Sequence, residues 1–131
     1  MSDISNRPVG AQRHFDRQEL LNRIDHDEEL LAQILQSFVA GMPGMLIGLQ
    51  ECLHEGSYDE AKKEAHKIKG TCLNVTADAM AELAGLVECE LKAGKYAAAS
   101  NTGTSLRNEF AHVMTIIGDC SAAFGKEGAR S

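Results

Sequence analysis

The chain has 131 residues, of which 44% are hydrophobic and 24% charged, and a formal net charge of −6. That length suits one domain with one hydrophobic core, and the acidic balance excludes nucleic acid as the main partner, because phosphate binding needs a basic surface. With no Trp, two Pro and many Ala, Leu and Glu, the composition points to helices.

The N-terminal stretch MSDISNRPVG lacks the apolar core of a signal peptide. No apolar run is read as approaching the roughly 20 residues of a membrane span. A cytoplasmic protein with no membrane partner is therefore expected. Cys52, Cys72, Cys89 and Cys120 match no CxxC spacing, so reduced thiols are expected rather than disulfides or a metal centre.

In chain order, residues 1–14 read as a flexible tail. A short helix follows Phe15, through Leu20, Leu21 and Ile24. A long helix then spans about Asp27 to Glu55, where Leu30, Leu31, Ile34, Leu35, Phe38, Met42, Met45, Leu46, Leu49 and Leu53 recur at helical spacing. Gly41 and Pro43 predict a kink or local break within it. Gly56 ends this helix, and Ser57 with Glu60 forms a candidate capping box for the next.

The third helix runs from about Tyr58 to Val75, with Ala61, Ala65, Ile68, Cys72 and Val75 on one face. Thr76 is the expected N-cap of a fourth helix that buries Met80, Leu83, Ala84, Val87 and Leu91, and Gly94 stops it. A fifth helix, about Tyr96 to Ile117, buries Ala99, Leu106, Phe110, Val113 and Ile117. Residues 118–131 read as a second flexible tail. Short connections make neighbouring helices antiparallel, so residues 15–117 are expected to form an all-α, up-down-up-down four-helix bundle with a short extra N-terminal helix.

The third helix carries the most chemistry, in EAHKIKGTC at residues 64–72. His66 shares a stripe with Lys62, Lys69, Gly70 and Leu73, while core residue Ile68 points about 200° away, so His66 is exposed. An exposed imidazole is a competent nucleophile, and an ammonium three residues on is placed to neutralise an anion arriving there. Gly70 costs the helix roughly 1 kcal/mol relative to Ala, which makes sense where a bulky partner must approach. Lys62, Lys63, Lys67 and Lys69 form a basic patch on an acidic protein, suited to an acidic partner. Helical geometry alone leaves two readings open and favours the plainer one, an ordinary surface histidine on a solvated, Lys-rich face.

The stretch AHKIKGT resembles the AHxLKG signature of the histidine-containing phosphotransfer (HPt) family. FDRQELLNRIDHDEELLAQILQSFVAGMPGML is similar to that family's N-terminal segment, and MAELAGLVE at residues 80–88 to the segment after the signature. The likeness spans about residues 15–117. It implies a phosphorelay intermediate phosphorylated on His66, taking its phosphoryl group from a receiver-domain aspartyl phosphate or a sensor or hybrid histidine kinase, and passing it to another receiver aspartate. Lys69 would match the family's neutralising lysine and Gly70 its clearance glycine. Glu88 would stand where family members carry Gln or Glu, positioned to fix the imidazole tautomer. Mg²⁺ would belong to the partner receiver, so no cofactor is expected. The chain would be a monomeric carrier with no kinase or nucleotide site of its own. Lys62, Lys63, Lys67 and Leu73 are candidate docking residues. One departure is that Thr76 and Ala77 stand where many members have Gly-Ala.

Two rival readings remain. Glu51 with His54, and Glu109 with His112, are ExxH pairs of the kind used by di-iron bundles, but both histidines project about 140° from the apolar face. The other rival is a helical interaction module that is never phosphorylated, for which Ile47 and Leu73 would supply apolar contact. His14 and His26 are assigned no role. Met42, Met45 and Met80 follow core spacing.

Overall fold

The computed structural model describes residues 14–130, with side chains to Gly118. The described residues form five helices and no strand: α1 (Arg17–Arg23), α2 (Glu28–Glu55), α3 (Tyr58–Asn74), α4 (Asp78–Lys92) and α5 (Tyr96–Arg130). Helix α2 packs on α3, α3 on α4, α4 on α5 and α5 back on α2, so four helices close a ring and α1 leans on α2. The predicted antiparallel bundle is the observed fold.

The core follows the helical period. Leu31, Leu35, Phe38, Met42, Leu46 and Leu49 of α2 meet Ala61, Ala65, Ile68 and Cys72 of α3, Met80, Ala84, Val87 and Leu91 of α4, and Ala99, Leu106, Val113 and Ile117 of α5. Leu83 and Phe110 are only partly buried, and Leu30 is exposed. The small residues Ala61 and Ala65 let α3 sit close to its neighbours, which fixes the opposite, polar face of α3 towards water.

Asp27 caps α2 through its side chain, which accepts a hydrogen bond from the Leu30 amide at 3.0 Å. Pro43 does not break α2, which is continuous. Gly41, Pro43 and Gly44 lie on its exposed side while Met42 and Leu46 are buried, so the lost backbone donor falls on the solvent side and packing carries the helix across. No charged residue interrupts α2 between Leu30 and Gln50, so by length and composition alone this helix is able to cross a membrane, contrary to the sequence reading. Its apolar stripe is instead a central part of the bundle core.

The expected cap of α3 is also corrected. Ser57 makes no side-chain cap bond. Its amide donates to the Cys52 carbonyl at 2.9 Å, closing the end of α2, and Glu60 pairs with Lys63 instead. Helix α5 ends later than expected: the stretch from 118 read as a tail is helical backbone through Arg130. It holds no Pro, so nothing in the sequence forbids the helix from continuing. Apart from His14, the N-terminal tail 1–14 lies outside the described residues, as does the side chain of Cys120. Cys52, Cys72 and Cys89 are free thiols, and burial pushes Cys72 up to about 12.

Four helix ends close in the same way. The amides of His26, Ser57, Ala77 and Lys95 donate to the carbonyls of Leu21, Cys52, Cys72 and Glu90, five residues back in each case. The residue before each of these amides has left-handed φ: Asp25, Gly56, Thr76 and Gly94. Thr76 therefore takes the role that glycine takes in two of the other turns, at a φ of 59° that costs a β-branched residue strain. It is not the cap of α4; that position is Ala77, with no side-chain bond. The buried Thr76 hydroxyl accepts from the Asp16 amide at 3.1 Å and lies 2.8 Å from the Asp16 carbonyl, to which it can donate. This pairing ties the start of α1 to the α3–α4 turn and offsets the strain.

Candidate functional site

His66 lies in the middle of α3 on its polar face, with 72% of its side chain exposed. Its neighbours in sequence, Ala65 and Ile68, are fully buried, and they hold the helix in the rotation that turns the imidazole outward. Across the α3–α4 groove, Glu88 Oε1 lies 3.3 Å from His66 Nδ1. Glu88 is mostly buried, with 17% of its side chain exposed, and its other oxygen is 3.7 Å from Lys92 Nζ. The carboxylate is thus held from both sides. It engages one ring nitrogen and leaves the other, Nε2, for chemistry. An open groove around the pair is lined by Asp59, Lys62, Lys63, His66, Glu88 and Lys92.

The basic patch read from the sequence is partly compensated. Lys62 pairs with Asp59 at 3.3 Å, Lys63 with Glu60 at 3.5 Å and Lys67 with Glu64 at 3.5 Å, each acid one turn before its lysine. These are mostly exposed i,i+3 pairs that are readily exchanged for a partner's charges. Lys69 makes no ion pair among the described residues. Its half-buried chain crosses to α4 and lies against Gly85, where an added Cβ would sit 3.6 Å from Cδ and 3.8 Å from Nζ. Gly85 and Lys92 were missed by sequence reasoning. The i,i+4 spacing of Glu88 and Lys92 was a usable signal for the second, but nothing in the sequence ties Gly85 to Lys69.

A Cβ added at Gly70 would meet nothing within 4 Å, so the surface beside His66 is open on that side. One turn further, Leu73 is exposed, and its carbonyl accepts a 2.9 Å hydrogen bond from Arg23 of α1. The structure thus brings His66, Lys69, Gly70 and Glu88 onto one α3–α4 face, with Lys62, Lys63, Lys67 and Leu73 along the same helix.

The ExxH pairs do not form a di-iron core. Glu51 and His54 are both exposed, and His112 projects outward with 66% of its side chain in solvent. Glu109, however, is buried and is met by both His112 and His14.

Comparison with known families matches the Hpt domain model to residues 33–115, more than half of the chain. No curated protein and no solved structure matches it. The chain belongs to the Hpt domain family. Membership assigns it a histidine phosphotransfer role in phosphorelays, as a carrier of the kind that works with receiver domains and histidine kinases rather than as a kinase.

Proposed function

We propose that His66 is the phosphoryl acceptor, and that this protein takes a phosphoryl group from a receiver-domain aspartyl phosphate, or from a sensor or hybrid histidine kinase, and delivers it to another receiver aspartate. The observation that carries this reading is the exposed imidazole whose Nδ1 stands 3.3 Å from the mostly buried Glu88 carboxylate. With the proton on Nδ1 directed at Glu88, the Nε2 lone pair attacks phosphorus. An N–P bond forms, the P–O bond to the aspartyl group breaks, and the aspartate leaves as a carboxylate. Glu88 faces the positive charge that the ring acquires, and Lys69 screens the transferring oxygens.

Transfer of this kind depends mainly on positioning and charge, so a rigid bundle is sufficient protein machinery. Gly70 leaves room for the docked receiver, and Lys62, Lys63, Lys67 and Leu73 form its contact surface. The receiver supplies the Mg²⁺. The carrier acts as a monomer, with residues 15–117 as its functional unit, and has no nucleotide site of its own.

The test is to incubate the chain with ³²P-labelled receivers or with a hybrid kinase and ATP. Acid-labile, base-stable label is expected on the wild type and absent from His66→Gln. Label on the variant at the wild-type rate would refute the assignment.

A further inference from the structure

A second histidine–glutamate cluster lies on α5, diagonally across the ring from α3. Glu109 and His112 are one turn apart on α5, and His14 reaches them from the segment before α1. Glu109 Oε2 contacts His14 Nδ1, and Glu109 Oε1 lies 3.6 Å from His112 Nδ1. The two imidazole rings meet edge to face with centroids 5.3 Å apart. One donor atom from each residue lies within 4.8 Å of the others.

We propose that His14, Glu109 and His112 form a binding site for a divalent first-row transition metal, with Zn²⁺ as its natural occupant. Three features converge. The donor set is two imidazoles and one carboxylate, which favours zinc and its neighbours over Mg²⁺ or Ca²⁺, whose ligands are all oxygen. The Glu109 side chain is only 10% exposed, so its charge has been taken out of water and gains most from a cation held against it. His14 is positioned without the metal: two residues on, Asp16 is fixed by paired hydrogen bonds to Thr76. Three protein donors would leave the fourth position of a tetrahedral ion for water. The ion would clamp the N-terminal segment onto α5. The site is independent of the α3–α4 face and of phosphoryl transfer, and His14 lies outside the stretch that matches the family model.

The experiment uses the untagged full-length chain, stripped with EDTA and titrated calorimetrically with Zn²⁺, in parallel with His14→Ala, His112→Ala and His66→Gln. His14 and His112 are exposed enough for their replacement to leave the fold intact, which circular dichroism checks. One equivalent of Zn²⁺ is expected to bind the wild type and His66→Gln alike, and to bind each of the other two variants about tenfold or more weakly. Zn²⁺ should also raise the melting temperature of the wild type and not of His14→Ala. Co²⁺ substituted for zinc should give d–d bands without a thiolate charge-transfer band. Failure of the wild type to bind, undiminished binding by either His14→Ala or His112→Ala, or a thiolate band would each overturn the proposal.

Discussion

Among the described residues, histidine meets glutamate at two places that differ in what surrounds them. On the α3–α4 face, one mostly buried carboxylate engages one ring nitrogen of one exposed histidine, and the far side of that ring is open. On α5, one buried carboxylate engages two imidazoles that also touch each other. The first arrangement holds one ring nitrogen and leaves the other exposed, as the proposed nucleophile requires. The second gathers donors around a point. The same two residue types therefore underlie the proposed group transfer in one place and the proposed chelation in the other, and the arrangements differ in the number of imidazoles converging on the carboxylate.

The sharpest way to break this comparison is to exchange the losses. His66→Gln should abolish phosphoryl uptake entirely while leaving Zn²⁺ binding intact, and His112→Ala should weaken Zn²⁺ binding about tenfold or more while leaving phosphoryl uptake intact. Gly70→Gln comes next. An added Cβ meets no atom of this protein within 4 Å, so the substitution is compatible with the fold and a loss of transfer is expected to arise with the partner in place. The helix should gain a few tenths of a kcal/mol to about 1 kcal/mol, because glycine is a poor helix former. Receiver-dependent transfer should fall by about a hundredfold or more, equivalent to roughly 3 kcal/mol. A normal transfer rate combined with raised stability would mean that the receiver docks elsewhere.

Lys69→Ala should have a smaller effect. Its ammonium is not consumed by an ion pair among the described residues, unlike those of Lys62, Lys63 and Lys67. Removing it should slow transfer about tenfold, or roughly 1.4 kcal/mol at the barrier, with the bundle still folded. Lys63→Ala, which removes a lysine already paired with Glu60, should change the rate less. Stopped-flow or gel-based transfer assays at fixed receiver concentration separate the two, and equal effects would show that only total charge matters.

The α3–α4 face was legible in the sequence because it depends on local periodicity. The core positions Ala65, Ile68 and Cys72 fix the rotation of α3, and the exposure of His66 and Gly70 follows from that rotation, whereas the roles expected of them came from the likeness of AHKIKGT to the family signature. Glu88 entered through the family likeness, at a position on α4 where the structure sets it beside the His66 ring. The α5 cluster was not, since His14 and Glu109 are 95 residues apart and no helical wheel brings them together. Periodicity placed His112 outward correctly, but it gave no sign that a residue outside the bundle would come to meet it. Local rules also failed where two roles competed for one residue. Ser57 holds the N-cap position of α3 but makes no side-chain cap bond while its amide closes the end of α2, and Thr76 adopts a glycine's conformation with its hydroxyl bonded to a distant partner.

That last conflict yields the smallest predicted effect on transfer and the finest test of how the two regions are separated. Thr76→Val keeps the strained left-handed φ but removes the hydroxyl, leaving the Asp16 amide and carbonyl without that partner. It should destabilise the protein by roughly 1–3 kcal/mol. Thr76→Gly removes the same hydrogen bonds but also the strain, worth roughly 1–2 kcal/mol, so its loss should be distinctly smaller. Both variants loosen the segment that carries His14, so both should weaken Zn²⁺ binding. His66 lies ten residues up the helix, about 15 Å away, with Glu88 still beside it, so both should transfer phosphoryl groups at the wild-type rate. Denaturant titration, calorimetry and a transfer assay on the same two proteins read the three quantities together. If the transfer rate fell in step with stability, the phosphoryl face would depend on the N-terminal tether, and the two clusters would form one cooperative unit.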